Sequence, residues 1–147
     1  MGSPFEWIMT LPSRSKGAVG ERIAAAFFSA AGYVVRKPTN SGHDRLINGH
    51  KVEVKMSSLW KGGGYTWQQI RDQDYEYCLL LGLAPQAASV WLMPKAVAVE
   101  HSVPQHGGSV GQDTRWLTVL ATAIPPWMDD WGGDPDRCLE LARTLLA

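Results

Sequence analysis

The chain has 147 residues, 45% of them hydrophobic and 19% charged, and its 14 Lys and Arg balance 14 Asp and Glu. That length and composition suit one globular domain with its own core and exclude an intrinsically disordered chain. No apolar run approaches the roughly 18 residues of a membrane span, and the N-terminus lacks the basic-then-apolar order of a secretory signal.

Residues 1–14 form an N-terminal arm, whose Phe5, Trp7, Ile8 and Met9 are expected to tuck against the domain or a partner. Ser15 can cap a helix reaching about Ala31, with Gly32 as its stop. Val19, Ile23, Ala26, Phe27 and Ala30 make one stripe at helical spacing. Ala24, Ala25 and Phe28 fill the other side, so the helix reads as covered almost all round. Glu21 falls on the Ala25/Phe28 side, where two readings stand: an early acidic residue favoured by the helix dipole, or a functional carboxylate. Residues 33–37 read as a short strand ended by Pro38, and residues 39–42 as a polar loop.

Residues 44–55 read as a β-hairpin. Asn48-Gly49 is the dipeptide expected of a two-residue turn with positive φ at both positions. Counting outward pairs Ile47 with His50, Leu46 with Lys51, Arg45 with Val52 and Asp44 with Glu53. Val52, Val54 and Met56 then share one face; Lys51, Glu53 and Lys55 share the other. Like charges placed opposite each other destabilise a hairpin unless something offsets them. A divalent cation does: Mg²⁺ is held by one or two carboxylates, with waters and substrate phosphate completing its shell. Lys55 on the same face can orient or help deprotonate a water, or hold a phosphate.

Past the hairpin, Gly62, Gly63 and Gly64 predict a flexible loop, and Trp60, Lys61 and Tyr65 around it mix aromatics with a base in a way that suits DNA contact. No Gly-Lys-Ser/Thr follows, so it is not a phosphate-binding P-loop. Thr66 can cap a helix over 67–72. Residues 76–83 and 89–93 read as buried strands, and Pro94 starts a short helix through Val99. Residues 102–113 read as an exposed loop, with His101 and His106 too isolated for a metal pair. Residues 115–120 read as a late edge strand, broken by Pro125-Pro126. Trp127, Met128 and Trp131 beside Asp129 and Asp130 suit core cover or a dimer contact. Asp134-Pro135 caps a final amphipathic helix to Leu146. Cys78 and Cys138 are expected buried and reduced, hence a cytoplasmic protein, and two distant cysteines exclude a cysteine-rich zinc site.

Charge is unevenly spread. Residues 1–75 hold 10 Lys and Arg against 6 Asp and Glu, and residues 76–147 hold 4 against 8. The positive half carries the hairpin, and Arg14, Lys16, Arg36, Lys37, Arg45, Lys51, Lys61 and Arg71 are candidates to meet a phosphate backbone.

Asp44, a tight turn, then Glu53-Val54-Lys55 on a valine-rich strand resembles the PD-(D/E)xK nuclease superfamily, the fold of restriction endonucleases and Holliday-junction resolvases. Asp44 matches the Asp of the motif and Glu53-Val54-Lys55 its (D/E)xK, while His43 stands where the motif has Pro. The resemblance covers roughly residues 15–95 as the core, with 96–147 a C-terminal elaboration of the same single domain. It implies an α/β fold with a central mixed β-sheet flanked by helices. It implies an endonuclease that hydrolyses DNA phosphodiesters with Mg²⁺, or Mn²⁺ in its place, as a homodimer. Asp44, Glu53 and the Val54 carbonyl would hold the metal, and Lys55 would serve the water. Glu21 matches an acidic residue that often reaches the site, and Gln69 and Arg71 a polar pair on the following helix. His43, Lys51, Lys61 and Arg71 are substrate contacts in this reading. Gly17-x-x-x-Glu21-Arg22 also resembles the opening of resolvases. A nuclease-like fold used only for binding remains an alternative that the intact charge cluster argues against.

Overall fold

The computed structural model describes residues 7, 13–38, 44–104 and 114–147. In chain order the elements are α1 (Ser13–Ala30), β1 (Val35–Arg36), β2 (Arg45–Ile47), β3 (His50–Ser58), β4 (Gly64–Ile70), β5 (Tyr77–Leu83), β6 (Ala88–Pro94), α2 (Lys95–His101), β7 (Val103–Pro104), β8 (Arg115–Leu120), α3 (Pro126–Asp129), β9 (Gly132–Gly133) and α4 (Pro135–Leu145). Six strands form a mixed sheet in the order β1-β2-β3-β5-β6-β9, parallel between β3 and β5 and antiparallel elsewhere. A second, three-stranded sheet has the order β4-β8-β7. Among the described residues, no helix is long and apolar enough to cross a membrane.

The hairpin has the register counted from its turn: Ile47 opposite His50, Leu46 opposite Lys51, Arg45 opposite Val52. Asn48 and Gly49 have φ of 49° and 82°, the pair of positive values that a two-residue turn takes. Asp44 lies just outside β2, and its backbone N–H donates to the Val52 carbonyl at 3.1 Å.

β5 explains why the large sheet is buried on both sides. Its sequence is a continuous apolar run, as a strand covered on both faces demands. Leu79, Leu81 and Leu83 join Val52 and Val54 of β3 beneath Ala24 and Phe28 of α1 and Cys138 and Ala142 of α4. Cys78 and Leu80 point the other way, into a second core with Tyr65, Trp67 and Ile70 of β4, Leu117 and Val119 of β8, and Met128 of α3. The two cysteines thus lie in opposite cores, both free and buried. Trp127 and Trp131 pack against the second core, the covering role expected of that patch.

Several expectations are corrected. The stretch 67–72 is not a helix: Tyr65-Thr66-Trp67-Gln68 alternates aromatic-in, polar-out as β4, and Trp67 is fully buried with its Nε1–H donated to the Leu81 carbonyl at 3.0 Å. Its strand partner is β8, some fifty residues later, so β8 is the middle strand of its sheet, not an edge. Residues 62–64 form a tight turn closed by Trp60 N–H to Gly64 O and Gly63 N–H to Trp60 O, both 2.9 Å. The buried stripe of α1 is Gly20, Ala24 and Phe28, while Ala26 and Ala30 are exposed. Gly20 explains that choice: a β-carbon there would overlap Met56, so only glycine lets the helix sit this close to β3. Of the expected loop 102–113, Val103 and Pro104 pair with β8 as β7, and residues 105–113 lie outside the described residues.

Candidate active site

β2 is only three residues long, so beyond Val52 the edge of β3 has no strand beside it on that side. A cleft of about 650 Å³ opens there, between the N-terminal part of α1, the free edge of β3 and the far end of β4. Lys16 and Glu21 come from α1, Asp44 from the mouth of the hairpin, Val54 and Lys55 from β3, Trp60 from the turn, and Thr66, Gln68 and Gln69 from β4.

Glu53 is 7% exposed, and its carboxyl lies close enough to that of Asp44 for the two acids to interact. The second Asp44 contact is structural: its Oδ2 accepts the Val54 N–H at 2.8 Å. Amide and carbonyl of one strand residue point to the same edge, so the Val54 carbonyl also faces the cleft. Lys55 Nζ stands 3.8 Å from Glu53 Oε2. Arg45, with a side chain 11% exposed, donates to Glu21 Oε1 at 3.0 Å and to the Asp44 carbonyl at 2.7 Å. Lys16 Nζ donates to Ser58 Oγ at 3.0 Å.

Burial pushes the Glu53 carboxyl up to about 8, helped by the hydrogen bond and charge of Asp44 and opposed by Lys55. Burial and Asp44 also raise Glu21, against the pull of Arg45. A carboxyl crowded by a second one is pushed up in this way, because ionising it beside the Asp44 charge is costly. The donor set fits Mg²⁺: all hard oxygens, from two carboxylates and one backbone carbonyl. Among the described residues no group of three or more His, Cys, Asp and Glu converges as a ready-made metal cage. Such a cage suits Ca²⁺ or Zn²⁺ more than Mg²⁺, which keeps waters and takes phosphate oxygens.

The residues named from sequence divide cleanly. Asp44, Val54, Lys55, Glu21 and Gln69 line the cleft, and Glu53 interacts with Asp44 without being among the lining residues. Gln69 reaches it from a strand, not a helix. A bulge between Trp67 and Ile70 leaves Gln69 at φ 55°, a strained value for a residue with a side chain, and turns it toward the cleft. Lys51 pairs instead with Asp74 at 3.0 Å, and Arg71 is half-buried away from the cleft, its carbonyl accepting from the Tyr75 hydroxyl. Lys61 is exposed in the turn next to Trp60 and outside the cleft lining. His43 lies outside the described residues. Arg45 turns inward as a counter-ion for Glu21. Lys16 does enter the cleft, as a phosphate contact requires. Ser58 and Gln68 were not anticipated; the alternation at 65–68 was the signal for Gln68.

No protein-family model matches the chain, and no curated protein matches it. The solved structure of the bacterial homing endonuclease I-Ssp6803I does, with a TM-score of 0.59 over 91% of this chain and 94% of that chain. The fold resembles that of a homing endonuclease. At 18% sequence identity the likeness speaks for the fold. It confirms the α/β architecture with a central mixed sheet, covered on one face by α1 and α4. The other face differs from the expected helical flank, because the β4-β8-β7 sheet covers it along with the short α2 and α3.

Proposed function

We propose that the chain is a Mg²⁺-dependent DNA endonuclease of the PD-(D/E)xK type, restriction-like or of a phage or defence type. The observation that carries this is the constellation at the cleft: Asp44 and Lys55 line it, and buried Glu53 interacts with Asp44 and stands 3.8 Å from Lys55 Nζ on the same strand face. Likeness to a homing endonuclease supports it at the level of fold. Bound at Asp44, Glu53 and the Val54 carbonyl, Mg²⁺ would supply Lewis-acid stabilisation of charge on the phosphate and its leaving oxygen.

The chain's own residues do the rest. Asp44 is pre-oriented by the Val54 N–H, which Oδ2 accepts at the cleft wall. Lys55 holds the attacking water or the scissile phosphate, with Glu53 as its counter-charge. Lys16 offers a second cation for the phosphate backbone. Gln69, aimed by its bulge, can orient the water. Glu21 with Arg45 fixes the position of the Asp44 backbone. One such cleft cuts one strand, so cutting both strands of a duplex takes a homodimer.

The test is incubation with plasmid, linear duplex, single-stranded and four-way-junction DNA in Mg²⁺, Mn²⁺ or EDTA, beside Asp44→Ala and Lys55→Ala. The expected result is metal-dependent cutting, lowered about 100-fold or more in each variant. Preference for the junction would favour a resolvase. Binding without cutting by folded wild-type protein in either metal would sink the hydrolytic reading and leave a binding module.

A further inference from the structure

Trp60 differs from the large aromatics of the second core. Trp67 and Trp91 are 0% and 2% exposed, spent on the core, whereas Trp60 is 38% exposed and lines the cleft. Its indole is seated on the turn that follows β3. A β-carbon on Gly62 or Gly64 would overlap the six-membered ring, so those glycines form a ledge that only glycine can make. The ledge is rigid: Trp60 N–H to Gly64 O and Gly63 N–H to Trp60 O close the turn at 2.9 Å each, and Ala121 N–H ties Gly63 O to the end of β8. A large aromatic held on one side by backbone and open to a cleft on the other loses little entropy when a planar group settles on it. Lys16 and Gln68 border the same cleft, offering a cation for phosphate and an amide for base edges.

We propose that Trp60 is a stacking platform for an unstacked DNA base, so the cleft takes single-stranded or locally opened DNA next to the reacting phosphate. This rests on the nuclease reading of the same cleft and adds the form of the substrate. The rise along β3 from Lys55 to Ser58 is about 10 Å, some two to three nucleotide steps. The stacked base therefore belongs to a flanking nucleotide, not to the one being cut. Stacking of this kind tolerates any base, because each has a π-face.

The test measures binding in EDTA, where no cutting occurs. The probes are a 20-nucleotide single strand carrying 2-aminopurine at successive positions, and its duplex. Wild-type protein is expected to quench 2-aminopurine at one or two neighbouring positions. Trp60→Ala should abolish that quenching and weaken single-strand binding about tenfold. Trp60→Phe should keep most of both, and duplex binding should change little. Gly62→Ala retains the indole but unseats it, and should lose the same quenching; it decides the matter if Trp60→Ala does not fold. Unchanged quenching and affinity in Trp60→Ala, with cutting still dependent on Asp44 and Lys55, overturns the platform alone. Trp60-dependent binding without metal-dependent cutting supports the platform and sinks the hydrolysis. Wild-type protein that binds neither probe overturns the platform, and metal-dependent cutting still decides the hydrolysis.

Discussion

Replacing Glu53 by glutamine tests the crowded carboxyl pair directly. Glu53 is buried against Asp44, and its carboxyl is raised from 4.5 to about 8. A folded-state value above the unfolded one means that the native protein binds this proton more tightly. Stability from Glu53 is therefore highest below about pH 4.5, falls as pH rises toward 8, and stays low above. At about 1.4 kcal/mol per pKa unit, a shift of this size sets an upper bound of about 5 kcal/mol. Local relaxation and entering water reduce this, so the expected loss between pH 5 and pH 9 is about 2 kcal/mol. A glutamine side chain carries no charge at any pH, and its amide can donate to Asp44 as the protonated acid does. Glu53→Gln should match wild type at pH 5 and exceed it at pH 9 by about 2 kcal/mol, or about 4–8 °C in Tm. Urea titrations in EDTA at pH 5, 7 and 9 measure this. A variant that keeps the wild-type pH slope, or is less stable than wild type at pH 9, would refute the placement of a strained proton on Glu53. Adding Mg²⁺ at 100 times its Kd should stabilise wild type at pH 9 by about 2.7 kcal/mol and the variant by much less.

Three further outcomes follow from packing and charge. Arg45→Met leaves Glu21 beside Asp44 without its counter-ion, and should cost about 1–3 kcal/mol in urea unfolding; adding Glu21→Gln should recover part of it, and independent losses would mean the pair is not coupled. Gly20→Val drives a side chain into Met56 and should cost about 1–3 kcal/mol. Gly17→Ala on the same helix meets nothing within 4 Å and should gain about 0.5–1 kcal/mol, so equal effects at the two positions would contradict the close approach of α1 to β3. Cys78 and Cys138 are buried and their thiols pushed up to about 12, so a thiol reagent at pH 8 should label them no faster than the chain unfolds.

What the sequence determined by itself was local or repetitive. Asn48-Gly49 carries its own turn geometry, so the register of β2 on β3, and with it the meeting of Asp44 and Glu53, could be counted from two residues. The apolar run of β5 and the Asp134-Pro135 start of α4 were legible for the same reason: each needs only near neighbours, as the Asp134 side chain accepting the Asp136 N–H shows. Tertiary structure decided the rest. α1 is apolar nearly all round, so its periodicity did not choose a face; the close fit of Gly20 on Met56 did, and that fit turned Glu21 toward Arg45. Residues 64–70 became a strand because Trp67 and Ile70 found a core and β8 found their backbone, a pairing across about fifty residues that no local propensity records. Lys51 and Arg71 were basic in a basic half, yet charge along a chain says nothing of direction in space. Asp74 took the one and the other lies outside the cleft lining, while Lys16, far from the hairpin in sequence, came to the cleft on α1.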